Sequence, residues 1–463
     1  MGSAVGLGNI WGFPNKMGAN GGFPFLILYL ALALCCGVII MLGELALGRK
    51  TGHGAVGAYQ SISKRFKWLG WLGIAAAALI FSFYSALGGY CLRYVVVNFG
   101  NLIGAEFGTN GVGGADVFQG LLSQPDVSIA FALAFMFITM LVVMSGVGGG
   151  IERVCSVGMP ALFFILIICI IRSCTLPGAA DGLKYMFVPG WAVANGIIDE
   201  APGFWRVLTA AGGQMFFSLS LGAGVMITYG SYLDKKQDLG KSTMIIVGMD
   251  TVVALMAGLC VIPGRFALDP NGALGGPELL FITMQNVFDK MGPAGPVFGI
   301  LFYLLVFFAA ISSSISMLEV IVAHFCDKAR EKGKGDRRKL YSAIAVVICA
   351  ALCALVCADG MGSNHISPAE LLGLAGAKLP GWSTSWLGLF DSVAEGLLMP
   401  LGALLMCLMI SWELKPDALR QEILLNGENR PWVYDFFRLC VKYITPLCML
   451  MILYGQISDF FIV

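Results

Sequence analysis

The stretch Gly2-Ser3-Ala4-Val5-Gly6-Leu7-Gly8-Asn9 opens an otherwise apolar segment with three glycines and one asparagine. Each glycine inside a helix costs about 1 kcal/mol relative to alanine, so this run disfavours a continuous helix. A second interruption falls far downstream, at Phe217-Ser218-Leu219-Ser220-Leu221-Gly222-Ala223-Gly224, inside the sixth apolar segment. Glycines in a membrane helix also serve close helix packing, and either stretch alone is evenly balanced between packing and function. The pair tips the balance, because the two stretches stand in corresponding places of two halves. Unwound backbone frees carbonyl oxygens for a cation, and the N-termini of half-helices offer N–H groups and positive dipole ends to an anion.

The rest of the chain supplies the surroundings. Of its 463 residues 58% are hydrophobic and only 12% charged. Apolar runs at 23–41, 127–144, 159–171, 297–311, 344–356 and 444–454 reach, with their flanks, the ~20 residues that cross a bilayer. Such segments number about eleven. Only helices and closed barrels satisfy their backbone in lipid, and these runs lack the alternation of barrel strands. The expectation is an all-α integral membrane bundle of about 11 transmembrane helices, with helices 1 and 6 broken. Two broken helices at matching positions mark the binding site of a secondary transporter.

Charge sets the orientation. Arg49, Lys50, Lys64, Arg65 and Lys67 follow the second helix, Lys235, Lys236 and Lys241 follow the sixth, and residues 327–339 hold a basic cluster, while 98–126 carry no Lys or Arg. Basic loops lie in the cytoplasm, which puts the C-terminus outside after eleven crossings. A net charge of +1 offers no electrostatic case for nucleic acid. The 14 cysteines, Cys35, Cys36, Cys349, Cys353 and Cys357 among them, lie in or beside apolar segments and read as small packing residues. None of them has metal or redox spacing. The three histidines, at 53, 324 and 365, are too scattered for a metal cluster.

Several motifs, in order, resemble the neurotransmitter:sodium symporter family: Gly2-Ser-Ala-Val-Gly-Leu-Gly-Asn-Ile-Trp11, Phe13-Pro14, Asn20-Gly-Gly22, Gly43-Glu44-Leu-Ala-Leu-Gly-Arg49, Ser82-Phe-Tyr84-Ser, Gly150-Ile-Glu-Arg153, Gln214-Met-Phe-Phe-Ser-Leu-Ser-Leu-Gly222 and Phe308-Ala-Ala-Ile-Ser-Ser-Ser-Ile315. The resemblance implies a LeuT-type bundle of 5+5 inverted repeats in a single transmembrane domain, 1–463. Repeat one covers about 1–175, repeat two about 200–412, and an additional helix about 432–457. It also implies a multi-pass protein of the bacterial inner membrane, for which a homodimer is compatible.

Site roles carried over with the resemblance are specific. A first sodium would meet the Ala4 carbonyl, Asn9, Ser218, Asp250 and the substrate carboxylate. A second would meet carbonyls of Gly2, Val5 and Ala309 and the hydroxyls of Ser312 and Ser313. These are hard oxygen donors suited to a hard cation. The substrate carboxylate would also meet the N–H groups of Leu7 and Gly8 and the Tyr84 hydroxyl, and its amine the carbonyls near Ala4, Phe217 and Ser218. Relatives that take monoamines carry an aspartate where this chain has Gly6, so the resemblance implies an amino-acid substrate here. Ile80, Phe217, Ser220, Ala223, Ser313 and Met317 would line the side chain's pocket. That lining has no charge, and Ala223 replaces a phenylalanine of a small-pocket relative, which favours large apolar or aromatic neutral amino acids. Asp250 is a carboxylate at membrane depth, where function is the default reading. Chloride-dependent relatives have a neutral residue in this region, so no chloride requirement is expected. Glu44 and Glu319 read as structural, hydrogen-bonded to nearby backbone.

The chain also departs from the family. Relatives read Trp-Arg-Phe-Pro, whereas Gly12 stands in the arginine's place here, and the aspartate that pairs with it across the outer vestibule aligns with Ala394. Losing both halves of an ion pair is nearly neutral, whereas losing one strands a charge. Closure would then rest on Tyr84 over Phe217, with help from Glu395. The chain begins inside helix 1, which is truncated at its N-terminus. The inner-gate acid Asp327 and its neighbour Tyr232 remain, so a longer natural protein is expected, with Met1 a misassigned start.

Together these readings give symport of a neutral amino acid into the cell by alternating access, coupled to two sodium ions. The alternative is a sodium-dependent binding sensor, or a relative that no longer transports. An enzyme is not expected, because no nucleophile, base and orienting group converge.

Overall fold

In the computed structural model, residues 4–109, 111–271, 274–333, 335, 337–373, 381–414, 417–425 and 431–461 are described. Nine helices among them are long and apolar enough to cross a membrane. In chain order, α1 comprises a π-helical turn, Gly8–Gly12, and Phe13–Ala19. It is followed by α2 (Phe23–Thr51), α3 (Lys64–Ile103), α4 (Pro125–Met144) and α5 (Glu152–Cys174). The sixth helix is split into α6a (Phe204–Leu219) and α6b (Val225–Gly230). Then come α7 (Leu239–Leu268), α8 (Gly292–Glu331), α9 (Arg338–Gly362), α10 (Trp386–Glu413) and α11 (Trp432–Ser458). The two missing from the nine are the two broken ones, so the expectation of about eleven crossings holds.

Both breaks have local causes. Residues 4–6 form no helix, and Gly6 among them, with Gly8 close behind, carries the entropic cost that disfavours helix there. In the sixth helix, Ser220 ends α6a in the left-handed region (φ +53°), and Gly222 and Gly224 follow at φ +77° and +72°. A side chain is strained there. Glu44 of α2 holds this unwound loop by accepting the Gly222 N–H at 2.7 Å.

Packing places the breaks at the centre. α3 runs against α8, while α2 contacts both α6a and α6b and α7 lies against α1. The outer faces of α4, α5 and α9 expose Phe137, Val157, Phe164, Ile167, Val347 and Ile348, as lipid-facing surfaces should. Buried residues next to the breaks include Asn9, Ser218 and Asp250. All described cysteines are free, most of them buried.

Candidate functional site

The site grows from the unwound residues 4–6. The Asn9 side chain folds back so that its Oδ1 accepts the Gly6 N–H at 2.9 Å. Its Nδ2 reaches α7 and donates to the carbonyl of Asp250 (2.9 Å) and to its carboxylate (2.7 Å). From the other break, Ser218 Oγ donates to both carboxylate oxygens of Asp250, at 3.1 and 2.9 Å. The Tyr29 hydroxyl of α2 adds a longer bond of 3.3 Å. Asp250 has no solvent exposure, and all three of its side-chain partners are neutral. Bonds to a charged acceptor contribute about 1.5–3 kcal/mol each, yet none of these donors cancels the negative charge.

A second convergence lies between the first break and α8. Ser312 Oγ donates to the carbonyls of Val5 (3.0 Å) and Ala309 (2.9 Å), and Ser313 is buried on the next position. Thus Val5, Ala309 and Ser312 of the predicted second sodium set meet directly. Gly2, the remaining member, lies outside the described residues.

The predicted substrate residues are buried around the same point. Leu7 N–H donates to the Tyr84 hydroxyl at 2.8 Å, and the Tyr84 ring lies 6.2 Å from that of Phe217, tilted by 59°. Ile80 and Tyr84 are one turn apart on α3, as are Ser313 and Met317 on α8, which puts each pair on one helix face. Ala4, Ser220 and Ala223 are buried at the breaks. A Cβ at Gly6 would fall on Ser313 Oγ and lie 2.8 Å from both Ser313 Cβ and the Tyr84 hydroxyl. One at Gly8 would lie 3.0 Å from Ser218 Cα. These two glycines are what let helix 1 touch α8 and α6a.

Sequence reasoning missed four side chains. Gln214 Nε2 donates to the Gly8 carbonyl at 2.6 Å, and its Oε1 sits 2.9 Å from where a Cβ on Gly12 would be. Gly12 is therefore the residue that fits against Gln214. Lys16, one helical turn further out, makes an ion pair with Glu395 of α10. Tyr29 is the third. The fourth, Arg338, corrects the reading of Glu319: Arg338 grips its two carboxylate oxygens, at 2.5 and 3.0 Å, so it is ion-paired instead of backbone-bonded. A fully buried carboxylate needs a charge partner or several donors, and Glu319 also accepts from the Tyr232 hydroxyl at 2.7 Å. Asp327 instead accepts the Gly54 N–H at 3.0 Å, so Tyr232 and Asp327 hold different partners here. Glu44 is held by backbone, as expected. Membership of the basic stretch 327–339 was the one available hint for Arg338; Lys16 had none.

Comparison with known proteins bears on what this arrangement is. The model of the sodium:neurotransmitter symporter family matches residues 1–110 and 116–461. The uncharacterized sodium-dependent transporter YhdH of Bacillus subtilis (strain 168) is 36% identical across 99% of this chain and 95% of that protein. An uncharacterized sodium-dependent transporter of Haemophilus influenzae is 28% identical, covering 97% and 94%. The crystal structure of MhsT in complex with L-phenylalanine superposes with a TM-score of 0.83 at 33% identity, covering 98% of this chain and 96% of that one. The likeness runs through both broken helices and the helices that hold Asp250 and Ser312, and on it the chain belongs to the sodium:neurotransmitter symporter family, with the LeuT-type fold of its members.

Proposed function

We propose that this protein carries a neutral amino acid with a large apolar or aromatic side chain into a bacterial cell across its inner membrane. Two sodium ions drive it, and chloride is not required. The observation that carries the reading is Asp250: a fixed negative charge, dressed only by neutral donors, beside both unwound stretches. In this reading the first sodium binds among the Ala4 carbonyl, Asn9, Ser218, Asp250 and the substrate carboxylate. The second binds among Val5, Ala309, Ser312 and Ser313, with Gly2 as the further ligand. The substrate carboxylate faces the N–H groups of Leu7 and Gly8 and the Tyr84 hydroxyl. Gly6, where a side chain has no room, supports a substrate that brings its own carboxylate, and the L-phenylalanine bound by MhsT supports the aromatic class.

Helices 1, 2, 6 and 7 would rock against the rest about the site, with about 1–175 and 200–412 as the two inverted repeats and the helix at about 432–457 as an addition. Two sodium ions crossing ~100 mV release on the order of 4 to 5 kcal/mol, about three decades of substrate gradient. The test is uptake of a labelled mixture of amino acids into proteoliposomes. Accumulation of large neutral amino acids should need an inward sodium gradient and ignore replacement of chloride by gluconate. Equilibration without accumulation, or uptake unaffected by sodium, would sink the reading.

A further inference from the structure

We propose that Lys16 is a two-position latch on the outer side of the bundle: it pairs with Glu395 when the site is closed and passes to Asp391 when the outer half of helix 1 swings away. The inference rests on the alternating-access reading above. Lys16 lies on the outer half of α1, beyond the break, and its ion pair with Glu395 ties this half to α10. Its side chain is 22% exposed and that of Glu395 7%. The pair is clamped from the side of α6a as well, because a Cβ on Gly213 would sit 2.6 Å from Glu395 Oε1. Opening the site to the outside must part α1 from α10, and an ammonium that is only 22% exposed is costly to leave without a counter-charge.

The surroundings of the pair supply the alternative partner. Asp391 lies on α10 four residues nearer the outer surface, and the π-helical turn Ser392–Leu398 joins it to Glu395. In that wider i→i+5 turn four residues come close to a full revolution, so both carboxylates face the same way. Asp391, Glu395 and Lys16 line one cavity of about 260 Å³ with Asn20, Arg206 and Gln456. Asp391 shares that cavity with Lys16, and among the described residues its carboxylate makes no ion pair or hydrogen bond. A lysine on a flexible stem can exchange one oxygen partner for the other. Its charge then stays compensated in both states, and the exchange lowers the barrier between them.

Hydrogen-exchange mass spectrometry of the full chain in lipid nanodiscs with sodium tests this without any substrate, by following residues 13–19 and 386–398. Glu395→Gln should raise exchange there roughly tenfold by releasing the closed position, and Asp391→Asn should lower it by a similar factor by removing the open one. In a Lys16→Gln background, Asp391→Asn should be silent, and Lys16→Arg should keep both responses. An Asp391→Asn effect of the same sign as Glu395→Gln, or one that persists without Lys16, overturns the latch. Uptake is scored separately: uptake with no change in exchange overturns the latch alone, and the expected exchange pattern without sodium-driven uptake overturns the transport reading alone.

Discussion

Asp250 and Glu319 are both carboxylates without solvent exposure, and they are dressed in opposite ways. Around Asp250 stand an amide and two hydroxyls, from Asn9, Ser218 and Tyr29. Against Glu319 stands a guanidinium, Arg338, on two oxygens. Hydrogen bonds from neutral groups stabilise a carboxylate while leaving its charge available, whereas an ion pair consumes it. The difference teaches that burial of an acid at membrane depth is no signature of cation binding until its partners are known. On this contrast the proposed ion pathway takes in Asp250 and leaves Glu319 to the scaffold.

The largest effect expected from breaking the contrast is on the scaffold side. Arg338→Gln strands Glu319 and should lower stability by about 3–5 kcal/mol, read as a fall in Tm in detergent, with the sodium dependence of the surviving protein unchanged. Removing Glu319 as well, in Glu319→Gln/Arg338→Gln, should recover most of it. A changed sodium dependence would make Glu319 part of the ion pathway after all.

Asp250→Ser comes next. It should raise half-saturating sodium by at least about a hundredfold, about 2.7 kcal/mol, and added chloride should restore much of the loss by replacing the missing charge. A variant indifferent to chloride removes the charge-compensation argument.

Asn9→Ala sharpens the ligand side of the comparison. It deletes the amide that joins helix 1 to α7, and about a tenfold rise in half-saturating sodium is expected, in line with one bond to a charged group. Tyr29→Phe should do least, about threefold, because its bond is the longest of the three at 3.3 Å and it is not proposed to touch sodium. An effect of Tyr29→Phe equal to that of Asn9→Ala would move Tyr29 into the coordination shell.

What the sequence made legible follows from composition and from local rules. Clustered glycines weaken a helix by a local rule, so both interruptions could be read directly, and Asn9 and Ser218 sit on them, while Ser312 came with the family resemblance. The unread part consists of partners far apart in the chain. Lys16 and Glu395 are separated by 379 residues, and Gln214 reaches back 206 to the Gly8 carbonyl. No periodicity announces such contacts. A glycine at 12, where the family resemblance leads one to expect an arginine, was visible, but the lysine one turn away that pairs with helix 10 looked like an ordinary polar residue. Glu319 was misjudged for the same reason, since its counter-charge sits across a loop on the next helix.

The crowding at Gly6 reaches beyond the present substrate. Any descendant that gave up the proposed carboxylated solutes for amines by installing an aspartate there would first have to clear Ser313, whose Cβ lies 2.8 Å from the point where the new side chain begins. Ser313 also belongs to the serine pair proposed to hold the second sodium, so the order of changes matters: space must be made on α8 before charge is added on helix 1, and the intermediate must survive with its ion coupling weakened. An evolutionary path from this protein to an amine carrier, natural or directed, therefore runs through a valley in fitness.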